Sequence, residues 1–344
     1  MGLQSLVSFG ALALAITSFA PLPIAAQAKE AAQKKIPAKW TAPLAPDGHP
    51  DLQGNWVNRS ATPLERPKQL EGRESLTDAE VAELKSRAER LFKDSRNDFP
   101  ARDDLYLAAL ANLEKYKSAT ATGNSDALGE REFDNRTSLI VDPPDGKLPP
   151  YTPAGQRRQS ALLAATVMMV PPAGPRDLTN LQRCITWGVP QTRPDNYTSY
   201  YQTVQSPGYV VIVMESIHDA RIVPLDGRPH LPQSMRTWNG DSRGRWEGPT
   251  LVVDTTNFSP KANFMGSAEN LHLVERFTRI APDEIRYEMT IDDPTTWTKP
   301  WTAVLRLKQT QEKIYEVACH EGNFEEMQDM LLGARAQEKA AAKR

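Results

Sequence analysis

Apolar and polar residues alternate with period two through the C-terminal half of the chain, while the N-terminal half carries its apolar residues at helical spacing. In one run Leu271, Leu273, Glu275 and Phe277 share a face, with His272, Arg276 and Thr278 opposite; in the next, Ile285, Tyr287, Met289 and Ile291 form the apolar face. Alternation of this kind places one set of side chains inside a sheet layer and the other outside. It predicts strands at Tyr209–Ser216, Ala220–Leu225, Met235–Asn239, Arg245–Phe258, Leu271–Ile280, Glu284–Asp292, Trp301–Gln309 and Lys313–His320, with Asp51–Val57 as an early extra strand. The connections Ala281–Asp283 and Thr310–Glu312 are hairpin-short, so sequence neighbours pair antiparallel. Such a set suits an up-and-down barrel or a strongly curled sheet, a mainly β fold with peripheral helices.

The helices come first. Thr77-Asp-Ala-Glu80 is a capping box ahead of Val81, Leu84, Ala88 and Leu91, which predicts a helix over Thr77–Phe92. Asp103–Ser118 and Ala154–Met168 read as two more, with Thr120–Arg136 a polar loop, Ile140–Asp142 a short strand, and a turn of helix within Arg176–Ile185. Thr77–Phe92 and Asp103–Ser118 are polar outside one stripe, so they are expected outside or across one end of the β unit. Glu325–Arg344 reads as a polar C-terminal helix or tail. These elements divide the chain into a leader, a first strand with a helical and Pro-rich wrapping region to 199, and a β-meander over 200–324, the segment 43–324 forming one domain.

Composition narrows the function classes. A formal net charge of −2 supplies no global field for nucleic acid, and acids are interspersed with the Lys and Arg residues. Leu3–Ile24 is apolar and uncharged and ends near Ala26-Gln27-Ala28, which reads as a signal peptide over 1–28 followed by a flexible leader over 29–42. No later run reaches the length of a membrane span. The expected location is the periplasm or the extracellular space. In such an oxidising compartment the two cysteines, Cys184 and Cys319, are expected to form a disulfide.

Several runs, His218-Asp-Ala-Arg221, Pro224-Leu-Asp-Gly-Arg-Pro-His230, Trp238–Gly248 and Ala318-Cys-His-Glu-Gly-Asn323, resemble an uncharacterised family of exported proteins of environmental bacteria. The resemblance implies export and a shared fold, and carries no chemistry. Gly54-Asn-Trp56 resembles the Gly-x-Trp opening of lipocalins, in which the Trp closes one barrel end.

Candidate chemistry lies on the strands. Glu275 on an apolar face is either a general acid or base with a raised pKa, or a structural carboxylate paired with an inward Arg221 or Arg243, with Tyr287 beside it. Trp238, Asp241, Arg243 and Trp246 lie near a turn and offer polar groups with ring-stacking surfaces, to which Trp297 and Trp301 are candidate additions. The five His residues, His49, His218, His230, His272 and His320, show no helical metal-site spacing, so no metal and no cofactor is expected. The leading expectation is a barrel that binds a small, partly apolar or ring-containing molecule in its interior. Its ligand-binding set is Trp238, Asp241, Arg243, Trp246, Tyr287, His218, Arg221 and His272. The alternative is a cofactor-independent lyase, isomerase or hydrolase of the same fold using Glu275 and His320. In either case His320, Glu275 and Arg243 are expected to share one cavity. A surface interaction protein without a pocket is the third class.

Overall fold

In the computed structural model, which describes residues 40–92, 104–110, 131–166, 169–191 and 199–342, the period-two runs pair into one antiparallel sheet. Its strands are β1 (Gly54–Asn58), β2 (Ile140–Asp142), β3 (Tyr200–Ser206), β4 (Tyr209–Met214), β5 (Ala220–Pro224), β6 (Asp241–Glu247), β7 (Thr250–Thr256), β8 (His272–Ala281), β9 (Glu284–Asp292) and β10 (Trp301–Thr310). They follow the order β5-β4-β3-β1-β10-β9-β8-β7-β6, with β2 added to β10. Read as a ring, this is chain order, so the sheet is an up-and-down meander that curls into a nearly closed barrel. The helices α1 (Asp78–Phe92), α2 (Asp104–Leu110), α3 (Pro153–Thr166) and α4 (Asn323–Ala341) are peripheral to it. All described residues belong to one compact unit, Lys35–Arg344. The segment read as a signal peptide lies outside the described residues.

Parity explains why the ring has a seam. Every neighbouring pair along the path is antiparallel, and the path from β5 to β6 contains nine strands. An odd number leaves the two end strands running in the same direction. Parallel neighbours cannot be joined by a hairpin and need a crossover of about a dozen residues or more, the role of Leu225–Gly240. At the seam Gly244 has no alternative residue of larger size. A Cβ there would stand 2.5 Å from Leu225 Cδ2 and 2.7 Å from Val223 Cγ1, so only a bare backbone lets β6 approach β5 this closely.

The core follows the pleat. Leu273, Glu275 and Phe277 of β8 and Ile285, Tyr287, Met289 and Ile291 of β9 are buried on the inner face, and the Phe277 and Tyr287 rings stack across the strand pair at 4.5 Å. Trp56 is fully buried among them; its Nε1–H donates to Leu52 O at 2.9 Å, and the Arg279 guanidinium lies 5.5 Å from its ring centre. A second, separate cluster joins Leu84 and Ala88 of α1 and Tyr106 and Ala109 of α2 to Ala61, Leu70 and Leu76. Reciprocal capping bonds begin α1: Thr77 N–H donates to Glu80 Oε2 at 2.8 Å and Glu80 N–H to Thr77 Oγ1 at 3.3 Å. The remainder of the expected second helix, beyond Leu110, lies outside the described residues.

Three strand expectations are corrected and one strand is added. Met235–Asn239 is no strand; it belongs to the crossover, and Thr237 makes a single bridge to Phe258. The run Arg245–Phe258 is broken by a reversal at Gly248-Pro249, so β6 and β7 are partners rather than one strand. Pro has no N–H for a ladder, which favours the turn there. Tyr200–Ser206 is a strand that the alternation hides, because its buried face includes Gln205, whose Oε1 accepts the Leu52 N–H at 2.5 Å. Lys313–His320 forms no strand, since both edges of β10 are already taken by β9 and β1. That segment is held instead by the Tyr315 N–H bond to Glu215 Oε1 (3.1 Å) and by the Cys184–Cys319 disulfide, with Cα atoms 5.7 Å apart. Among the described residues no helix is long and apolar enough to cross a membrane.

Candidate functional site

Three of the expected site residues meet in the barrel lumen. Arg221 of β5 points inward and forks onto Glu275 of β8, with Nη1 3.0 Å from Oε1 and Nη2 2.5 Å from Oε2. Arg221 Nη2 also lies 3.2 Å from both Ser242 Oγ of β6 and Thr255 Oγ1 of β7, and Tyr287 of β9 donates its hydroxyl to Glu275 Oε1 at 2.6 Å. One guanidinium therefore reaches across the seam and ties β5 to the three strands beyond it, and through Glu275 to β9. Both charged side chains are sealed from solvent, 5% and 1% exposed. Burial pulls the Arg221 pKa down, but the Glu275 charge more than offsets this and holds it above the ordinary value. Burial, reinforced by Glu275, pushes the Tyr287 hydroxyl well up, so it stays a donor. Tyr201, raised by burial and bonded to Gln191 Oε1 at 3.0 Å, completes the polar lining.

The lumen is nearly filled. The cavity bounded by Trp56, Gln191, Tyr201, Arg221, Glu275 and Tyr287 measures about 20 Å³. That is room for roughly one water, against about 150 Å³ for a cavity that takes benzene. A ring-sized guest in the interior, as the sequence suggests, does not fit this arrangement of side chains. The reason is that the inward residues are large: Trp56, Tyr201, Phe277 and Tyr287 occupy the space that smaller ones would leave.

The expected sharing of one cavity by His320, Glu275 and Arg243 is also corrected. His320 is exposed beside Cys319, on the segment that is not a strand. Arg243 Nη1 pairs with Asp241 Oδ1 at 2.6 Å and its Nε donates to Pro229 O at 3.0 Å, on the crossover. Arg243, Asp241 and His272 thus belong to a polar clasp that holds the crossover against β6, β7 and β8. There His230 places Nδ1 3.0 Å from Asp241 Oδ2 and Nε2 3.1 Å from Asp254 Oδ1, and His272 Nε2 is 3.1 Å from the same Asp254 oxygen. The hydrogen bond to Asp254 raises the His272 pKa, and that to His272 lowers the Asp254 pKa. Trp246 stacks on His49 at 4.7 Å, while Trp297 and Trp301 are buried against each other. The His218 side chain lies outside the described residues. Among the described residues no group of three or more His, Cys, Asp or Glu stands in a metal-holding arrangement.

A ligand-sized space exists elsewhere. A cleft of about 950 Å³ opens between α3, the segment Arg176–Val189, Trp238, and the loop from Phe258 to Leu271. Docking of α3 creates it. Gly155 sits against Thr296, where a Cβ would be 2.3 Å from the carbonyl oxygen, and Arg158 donates to Gly266 O (2.7 Å) and Thr296 Oγ1 (2.8 Å). Anchored there, the helix buries only Gly155 and turns Ala161, Leu162 and Ala165 toward the cleft. On the opposite wall Trp187 and Trp238 each follow or precede a residue of one hydrogen-bonded set: Thr186 Oγ1 lies 2.6 Å from Asp219 Oδ2 and 3.1 Å from Asn239 Oδ1. The disulfide at Cys184 pins the same wall. Val189 lines both cleft and lumen, so one side chain stands between the two spaces.

Of the residues singled out from the sequence, Trp238 alone borders this cleft. Trp187, Phe264, Arg183 and the α3 stripe were not. The available signal was Trp187-Gly-Val-Pro190, an aromatic in a Pro-rich connection, which spacing alone gives no reason to join with Trp238. Compared with protein-family models, with curated proteins and with solved structures, the chain matches none.

Proposed function

We propose that this chain is an exported binding protein for a small, partly apolar, ring-containing molecule, held in the cleft between α3 and the Trp187–Trp238 wall. The observation that carries the reading is the contrast of volumes, about 950 Å³ in the cleft against about 20 Å³ in the lumen. Small-molecule sites typically measure about 300–1,000 Å³ and are apolar with a few polar groups. Trp187, Trp238 and Phe264 supply ring faces, and Leu162, Leu178 and Leu271 supply apolar floor. The sealed Arg221–Glu275 pair then has a structural role, closing the barrel that supports the cleft. Export is supported by the formed disulfide and by the sequence of residues 1–28.

Titration with phenylnaphthylamine, a neutral aromatic probe, tests the site. Trp187→Ala and Trp238→Ala are each expected to weaken binding about tenfold, a stacked ring being worth roughly 0.5–1.5 kcal/mol beyond its buried area. Unchanged affinity in both variants removes the cleft as the site.

A further inference from the structure

We infer that the molecule the cleft takes is an anion, a ring-bearing or amphipathic carboxylate, sulfonate or phosphate; this rests on the cleft being the binding site. The cleft lining contains four cations, Arg158, Arg176, Arg183 and Lys261, and one carboxylate, Asp177. Asp177 is engaged locally, its Oδ2 accepting the Gly174 N–H at 3.0 Å. Arg158 is spent on Gly266 and Thr296. The other three have no carboxylate partner among the described residues.

The chain's formal net charge is −2, and many of its cations outside the cleft stand beside acids: Arg73 with Glu80, Arg136 with Asp134, Arg276 with Glu247, Lys308 with Glu284. In the cleft lining positive charge outnumbers negative, and low-dielectric walls focus its field on whatever enters. Arg183 is the best placed of the three. It is half-buried, and its neighbour Cys184 is bonded to Cys319, so the backbone that carries the guanidinium is fixed. A guanidinium fork matches the two oxygens of a carboxylate or phosphate, and the flanking Trp187 and Trp238 match the apolar part of the same molecule.

The experiment pairs two probes with the same ring system, anilinonaphthalene sulfonate (anionic) and phenylnaphthylamine (neutral), titrated against the full mature protein. At low salt the sulfonate is expected to bind roughly three- to tenfold more tightly, the scale of a few partly exposed charge contacts. The preference is expected to shrink at high salt, whereas the neutral probe's affinity stays constant. Arg176→Glu with Arg183→Glu should abolish the preference, lowering the sulfonate's affinity more than the neutral probe's. Lys261→Glu, on an exposed residue, gives the same direction with less effect and serves if the double variant is unstable. Equal affinities of the two probes, a preference insensitive to salt, or a preference surviving the charge reversals overturns the inference while leaving the cleft reading intact. Failure of both probes to bind overturns the two together.

Discussion

Removing the carboxylate of Glu275 should do more damage than removing the whole ion pair. Both partners are sealed inside the barrel, so Glu275→Leu strands a guanidinium in apolar surroundings with only Ser242 and Thr255 to bond, and also orphans the Tyr287 hydroxyl. Breaking one side of a buried pair costs about 3–5 kcal/mol, a large share of the roughly 5–15 kcal/mol that holds a typical domain together. Arg221→Met should cost a similar amount by stranding the carboxylate. The double variant Arg221→Met/Glu275→Leu removes both charges and leaves Ser242 and Thr255 bonded to each other at 3.0 Å. It should therefore be more stable than either single variant. Urea unfolding followed by tryptophan fluorescence, with all four proteins compared at a common slope, measures the coupling. If a single variant fails to fold, folding of the double variant is the expected rescue. A double variant that loses the sum of the two single losses refutes the reasoning, because the pair would then not be a mutually compensating unit.

Other perturbations follow from the same structure. Replacing Cys184 and Cys319 by Ser opens a link of 135 residues and should cost about 5 kcal/mol on the loop-entropy model; a loss below about 1 kcal/mol in the same urea assay contradicts it. Gly244→Val pushes into Val223 and Leu225 across the seam and should cost about 1–3 kcal/mol, with faster amide exchange in Ala220–Pro224; unchanged exchange there contradicts the tight seam. The His272 pKa is raised above its ordinary 6.5 by the Asp254 bond, so its contribution is full below about pH 6.5 and is lost as pH rises through the folded value. His272→Gln should flatten stability against pH above 6.5, and an unchanged profile places the titration elsewhere.

Much of the barrel was legible because the inner face of a strand advertises itself when its residues are apolar. β8 and β9 do so, and their parity alone turns Glu275 and Tyr287 inward and leaves Arg221 among its candidate partners. β3 is silent for the opposite reason: Tyr201, Thr203 and Gln205 face inward, and Gln205 is buried to serve the Leu52 amide. Alternation at Met235–Asn239 belongs to a crossover that strand parity makes necessary, and parity is a property of the whole ring. The segment Lys313–His320 reads as a strand but meets a sheet with no free edge beside its neighbour. The cleft was least legible. Its walls come from α3, residues 176–189, Trp238 and the loop before β8, and a volume assembled from such distant pieces leaves no periodic trace. Filling of the lumen depends likewise on how Trp56, Phe277 and Tyr287 meet, a matter of volume rather than pattern.

The central claim, that the ligand site is the cleft and the lumen is closed, is tested most directly by a crystal structure of the protein soaked with anilinonaphthalene sulfonate. The account predicts probe density between Trp187 and Trp238, with its sulfonate toward Arg183 and the Arg221–Glu275 pair undisturbed. Density inside the barrel, with Phe277 and Tyr287 swung aside to admit the rings, would contradict it.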